Sequence, residues 1–332
     1  MIENKIEVNM ILAGDIGGTK TLLGLFDAAP VRPRSITTHS FSTLDYSDLP
    51  SMIAAFLTAT NSSHGSIDRA CFGVAGPVID EAATLTNVPW RVDARAVAAS
   101  FTIGRVFLLN DLEAMAWSVP VLHDDEVHVL QEGAALAGGN VALIAAGTGL
   151  GQAMLHAVDG HFIPSPSEGG HADFAARNDR EIELLRDLTA RFGRAEVEHV
   201  VSGRGLINVH HVAHRRSPCR ASIDLDDADA PAQITRAALE HVCDRCVETL
   251  DIFIDAYGAE AGNVALRAVA TGGVFIGGGI APKILPALTT GAFMRAFVAK
   301  SPLDGMLKAM PVKIILNADA ALLGAAVFAA GR

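Results

Sequence analysis

The chain is short of cysteine, tryptophan, tyrosine and basic residues, and it has no long uninterrupted apolar run. Four cysteines in 332 residues, Cys71, Cys219, Cys243 and Cys246, make no disulfide framework. Cys243 and Cys246 form a C-x-x-C, but both fall on a helical apolar stripe with Leu239, Val242, Val247, Leu250 and Phe253, which favours core packing over redox chemistry. With 26 basic against 37 acidic residues and a formal charge of -11, neither nucleic acid nor an anionic membrane surface is expected as the main partner. That balance leaves room for a nucleotide in one local pocket. Glycine turns and charges interrupt every apolar stretch before it reaches the length of a membrane span. The start, Met1 to Lys5, lacks the basic and apolar regions of a signal peptide. A soluble, cytoplasmic protein is the expectation. The two tryptophans, Trp90 and Trp117, read as packing residues rather than a stacking platform.

Half the residues are hydrophobic and 19% are charged, the balance of a globular chain long enough for two domains. Its organising stretch is Ala13-Gly14-Asp15-Ile16-Gly17-Gly18-Thr19-Lys20-Thr21, set between two apolar runs, which reads as strand, tight turn, strand. The glycines are expected to take positive φ and to bring backbone N–H groups close to a ligand. Thr19 and Lys20 offer a hydroxyl and a cation to phosphate oxygens, and Asp15 a carboxylate for a hydrated Mg²⁺. A lone Gly-Gly hairpin is ordinarily structural. Here a second turn, Ala146-Gly147-Thr148-Gly149-Leu150-Gly151, also lies between strands, and a third cluster, Gly277-Gly278-Gly279, follows an apolar run and precedes a helical-looking segment with Pro282 near its start. None is a P-loop or a Rossmann fingerprint. Together they predict a duplicated architecture that grips one polyphosphate.

Between and after these turns the pattern alternates strand and helix. Strands are expected at 35–42, 70–74, 105–109, 274–276 and 312–315. Helices are expected at 49–60, 93–100 with Asp93 as N-cap, 179–192, 194–200, 203–214, 234–257 and 318–330. Residues 164–173 read as a turn-rich loop, and Asp224 to Asp229 as a solvated one. Asn110-Asp111 closes a buried strand just before a helix, where open α/β sheets place ligands. In isolation such a pair reads as a helix N-cap. Between two phosphate turns, the carboxylate suits a base accepting a proton from an attacking hydroxyl, and the amide suits a neighbouring hydroxyl. Glu168 and His171, in Ser167-Glu168-Gly169-Gly170-His171, and Glu198 would add to an acidic pocket that repels anionic substrates and suits a neutral polyol. A plain loop turn and a solvated helix face are the alternatives for Glu168 and Glu198. His210 and His214 stand one helical turn apart, but with no third ligand evident they read as a surface helix rather than a zinc site.

These segments, together with Leu44-Asp45-Tyr46, Thr86-Asn87, Ser202-Gly203 and Gly272 to Ile276, resemble bacterial glucokinases of the enterobacterial type, in the hexokinase/actin-like ATPase superfamily. The likeness runs nearly end to end. The chain lacks the zinc-binding cysteine cluster of the repressor/ORF/kinase (ROK) sugar kinases and any N-terminal DNA-binding helix pair. The resemblance implies a two-domain actin-like ATPase (ribonuclease H-like) α/β fold with a duplicated core and an interdomain cleft. Residues 1–121, completed by a C-terminal helix at 317–332, would form the small domain and 122–316 the large one. It implies Asp111 as catalytic base and Asn110, Glu168, His171 and Glu198 as ligands of glucose. Gly14, Asp15, Ile16, Gly17, Gly18, Thr19, Gly147, Thr148 and Gly149 would hold the phosphates of ATP, with Gly277 and Gly278 against the adenosine and Mg²⁺ reached from Asp15 through water. It also implies a homodimer. Arg204 stands where the family usually has proline, and Ser167 where glycine is common. A kinase for another neutral hexose and a non-catalytic sugar-binding regulator are the rival readings.

Overall fold

The computed structural model describes residues 10–29, 31–62, 67–85 and 88–332. The Thr86-Asn87 motif and the Met1 to Lys5 start lie outside the described residues. The chain divides into two compact units, one ending at His123 and completed by Asp319–Arg332, the other Asp124–Ala318.

In the first unit, β1 (Met10–Ile16), β2 (Lys20–Asp27) and β3 (Arg34–Ser42) form an antiparallel meander. After α1 (Leu49–Ala59), whose N-terminus is capped by Asp48 accepting from the Ser51 N–H at 2.8 Å, β4 (Ile67–Val74) pairs parallel with β1. A small antiparallel sheet of β5 (Val78–Ile79), β6 (Ala82–Thr84) and β7 (Arg91–Asp93) leads into α2 (Ala94–Phe101). The Asp93 carboxylate accepts from the N–H groups of Arg95 and Ala96, the N-cap its position predicts. β8 (Arg105–Asn110) then pairs parallel with β4 and runs into α3 (Asp111–Ser118). The sheet order is β3-β2-β1-β4-β8.

The second unit repeats that order. β9 (Val127–Gln131) is an added edge strand, and β10 (Val141–Ala146), β11 (Leu150–Val158) and β12 (His161–Ser167) form the second meander. After α4 (Asp179–Phe192), α5 (Gly203–Ala213), α6 (Ala230–Leu239) and α7 (Asp244–Ala268), β13 (Gly273–Gly277) joins β10 in parallel. The short helices α8 (Leu285–Leu288), α9 (Ala292–Val298) and α10 (Asp304–Ala309) precede β14 (Val312–Ile315), giving β12-β11-β10-β13-β14-β9. The duplication expected from the glycine turns is therefore present strand for strand. The closing helix α11 (Ala320–Ala330) is apolar on every side and packs in the first unit against β1 and α3. Gly324 permits this, because a Cβ there would lie 1.7 Å from the Ala114 carbonyl oxygen.

Several local expectations are corrected. The helix expected over 234–257 is two, broken where His241 takes φ +53°. Val242 is therefore 46% exposed, and Cys243 precedes α7 as its N-cap rather than riding on its apolar stripe. Residues 194–200 form turns, because the N–H groups of Val197 and Glu198 bond to the carbonyls of Ala172 and Gly170 instead of continuing a helix. The loop expected from 164 begins as strand β12, which tolerates Pro164 and Pro166 because it is a sheet edge. The helical segment expected after Gly279 is present, as a 3₁₀ turn (Ala281–Ile284) with Pro282 at its start that continues into one α turn. No helix among the described residues is long and apolar enough to cross a membrane.

Candidate active site

In the first unit the β1–β2 hairpin turn closes by the Gly17 N–H donating to the Lys20 carbonyl at 3.1 Å. Thr43 braces it, its hydroxyl donating to the Gly17 carbonyl and its N–H to that of Thr19, at 2.8 and 3.0 Å. Neither Gly17 nor Gly18 lies in the left-handed region. Glycine is needed at 17 for space, since a Cβ would stand 2.7 Å from the Lys20 oxygen. Gly14 is likewise a packing glycine, with Phe72 2.5 Å from where its Cβ would be. Thr19 and Lys20 are exposed at the turn.

The parallel register sets Ile16 beside Val74 and Val74 beside Asn110, so the carboxyl ends of β1, β4 and β8 finish level. Gly73 leaves room for the start of α3, with the Ala114 Cβ 2.8 Å from the position its own would take. The Asn110 amide oxygen caps α3 by accepting from Leu112 and Glu113 at 3.0 and 3.4 Å, and its NH₂ donates to the Gly76 carbonyl at 3.3 Å. The capping alternative is thus real, and it fixes the approach of Asp111, the first residue of the helix. Asp111, half-buried, accepts from the Leu112 N–H at 2.8 Å. Asp15 comes within its field. Burial first, then the charges of Asp111 and Asp319, push the Asp15 carboxyl up to about 7, with Lys20 pulling the other way. Asp319, just before α11, was not singled out from the sequence. Its only signal there was a polar residue ahead of the closing helix.

The second unit gathers the other candidates around the turn Gly147 to Gly151. The Glu198 carboxylate accepts from the Leu150 N–H at 2.7 Å, and its backbone N–H donates to the Gly170 carbonyl at 2.9 Å. Gly149 must be glycine, because a Cβ would stand 2.6 Å from Glu198 Oε2, whereas Gly147 faces open space and Thr148 is exposed. The Gly203 N–H donates to the Gly147 carbonyl at 2.8 Å, tying the start of α5 to the same turn. Glu168 stands exposed just past β12. Its loop is seated by Gln152, whose Oε1 is 2.2 Å from where a Gly169 Cβ would be and whose NH₂ donates to buried Glu260 at 2.9 Å. His171 is exposed, and its Nδ1 lies 2.7 Å from Glu196 Oε2. That bond raises the imidazole above its ordinary value against the opposing effect of burial, with Glu198, Glu196 and Glu168 adding to the rise. Arg194 holds Glu196 and Asp173 at 2.6 and 3.0 Å and donates to the His171 carbonyl at 2.8 Å.

The third glycine cluster lies against the second. Ala145 pairs with Gly277, and Gly278, at φ +85°, sits so close to Ala146 that a Cβ would be 2.2 Å from its carbonyl oxygen. The buried Tyr257 hydroxyl bridges the two, accepting from the Ala146 N–H and donating to the Gly277 carbonyl, both at 3.3 Å. Sequence reasoning missed Tyr257, Gln152, Arg194 and Glu196. The last lay two residues from Glu198, and the others act over separations that no local pattern records.

A ribonuclease H-like strand order used twice, with glycine turns and carboxylates at the strand ends, defines a protein of the actin-like ATPase fold. The ROK-family glucokinase from Streptomyces griseus, solved with glucose and AMPPNP, shares this fold at a TM-score of 0.66 and 20% identity, over 98% of this chain and 100% of that one. A glucokinase from an Antarctic psychrotroph superposes with a TM-score of 0.85 at 29% identity, over 98% and 99% of the two chains. The glucokinase of Nostoc punctiforme is 37% identical across 97% of this chain and 99% of its own length. The family model described as Glucokinase matches residues 12–332. The chain belongs to the glucokinase family.

Proposed function

We propose that the chain transfers the γ-phosphoryl group of Mg-ATP to the 6-hydroxyl of D-glucose, with Asp111 as general base. The observation that carries this, beside family membership, is Asp111 at the level carboxyl ends of β1, β4 and β8, held by the Asn110 cap and facing the charge of Asp15. The Asp111 carboxylate takes the proton of the attacking hydroxyl as the loose transition state forms. Glu168, His171 and Glu198 hold the sugar hydroxyls with Asn110, and the acidic lining selects a neutral polyol over an anion. The turns at Gly14–Thr19 and Gly147–Gly149 face the phosphates with backbone N–H groups, and Gly277 and Gly278 lie along the adenosine.

Burial, with the neighbouring charges of Asp111 and Asp319 adding to it, raises the Asp15 carboxyl to about 7 and gathers three carboxylates. Such a set fits a hydrated divalent cation, with Asp15 binding its water. Mg²⁺ when bound supplies neutralisation of phosphate charge. The chain's own groups bind, orient and deprotonate the sugar, and closure on it would exclude the water that competes for the phosphoryl group. Family membership supports extending the reading to a cytoplasmic homodimer.

The test is ADP formation from Mg-ATP across a panel of glucose, mannose and fructose. The reading expects glucose to lead by kcat/KM. Turnover led by mannose or fructose would keep the reaction and replace the substrate.

A further inference from the structure

His210 is 4% exposed, and neither ring nitrogen has a hydrogen-bond partner. This overturns the expectation of a surface helix at His210 and His214, and it is chemically costly, because in a neutral imidazole one nitrogen carries a proton and the other a lone pair, and both need a partner. Its ring stacks on that of His214 at 3.7 Å between centroids. The third ligand that the sequence did not show comes from two other places. Cys219 arrives from the loop after α5 and Cys246 from the first turn of α7, and one ligand atom from each of His210, His214, Cys219 and Cys246 lies within 4.8 Å of all the others.

We propose that these four residues form a tetrahedral site for a thiophilic divalent cation, with Zn²⁺ the best match. Three geometric facts carry it. The Cys219 and Cys246 sulfurs are 3.6 Å apart. That is far beyond a disulfide of about 2.05 Å, and it is the edge of a tetrahedron built on Zn–S of about 2.3 Å and Zn–N of about 2.0 Å, whose edges run roughly 3.3–3.8 Å. His214 Nδ1 lies 2.9 Å from the His210 carbonyl and donates to it, which fixes the tautomer and leaves Nε2 as a lone pair, the arrangement of most metal-bound histidines. That Nε2 faces sulfur, 4.0 Å from Cys246 and 3.5 Å from Cys243. Two thiolates and two neutral imidazoles balance the charge of a divalent ion, and their four places fill its coordination sphere, as in a structural rather than a catalytic site. Binding releases the two thiol protons. The ion would pin the loop after α5 to the end of that helix and the start of α7. Cys243 sits beside the sphere, outside it.

The test is the metal content of the full chain, purified reduced, equilibrated with trace zinc and dialysed. About one equivalent of zinc per chain is expected, as a closed site requires, with none in Cys219→Ser/Cys246→Ser and a full complement in Cys243→Ser. As a measurement independent of whether the double variant folds, Co²⁺ is added to stripped wild type. Intense visible d–d bands with a thiolate charge-transfer band support the site. Weak octahedral bands, wild type without metal, metal kept by the double variant, or a Cys219–Cys246 disulfide in the unreduced protein overturns it. Loss of zinc from Cys243→Ser with retention in His210→Ala overturns the ligand set.

Discussion

Glu198 and Leu150 are joined by a 2.7 Å hydrogen bond from the Leu150 N–H to the Glu198 carboxylate. A residue assigned to the sugar is thereby fastened to the turn assigned to the phosphates, and Gly149 is what lets it come so close. Glu198→Ala strands the Leu150 N–H, at a cost of about 1–3 kcal/mol if water does not reach it. Glu198→Ala and Gly149→Ala are both expected to raise the KM for ATP as well as for glucose, measured by varying each substrate in turn. A rise confined to glucose would separate the two roles.

The Asp15 carboxyl titrates near 7 in the folded unit and near about 3.9 in an unfolded chain. The folded state therefore binds more protons between those values, so stability falls as pH rises from roughly 4 to 7 and stays lowered above that window. Asp15→Asn removes the penalty. In melts without divalent cation its Tm should exceed wild type at pH 8, and the gap should close toward pH 4. A gap independent of pH would mean that Asp15 is not the group titrating.

His171 owes its raised pKa first to Glu196. In Glu196→Gln the imidazole should titrate lower, toward its ordinary value of about 6.5, as followed by NMR of the ring protons. An unchanged midpoint would remove Glu196 from the account.

Gly324 faces backbone, with the Ala114 oxygen 1.7 Å and the Ser118 nitrogen 2.9 Å from where a Cβ would stand. No side chain can swing away to make room. Gly324→Ala is expected to cost about 1–3 kcal/mol or more, seen as a lower midpoint in denaturant, while Gly305→Ala, with nothing within 4 Å of its added Cβ, should leave the midpoint near wild type.

Much of this was legible where the signal is local. The Asp93 cap, α4 from Asp179 to Phe192 and the three glycine turns depend on neighbours a few residues away, and the structure has each of them. The duplicated sheet follows from the turns because each meander must end on one. What escaped depends on distant chain. Nothing near Cys243 announces the left-handed His241 that takes it off the helix, and His210 reads as exposed until Cys219 and Cys246 fold over it. The glycines at 17 and 18 are expected from the sequence to take positive φ, yet neither does, and Gly17 is there to admit the Lys20 carbonyl, as Gly149 admits the Glu198 carboxylate.

The central claim is that Asp111 takes the proton from the sugar hydroxyl, and it is tested most directly by glucose-dependent ADP formation with Asp111→Asn beside wild type. The account predicts kcat lower by about 10²–10⁴-fold or more with nucleotide affinity little changed. A variant turning over glucose at near the wild-type rate would contradict it.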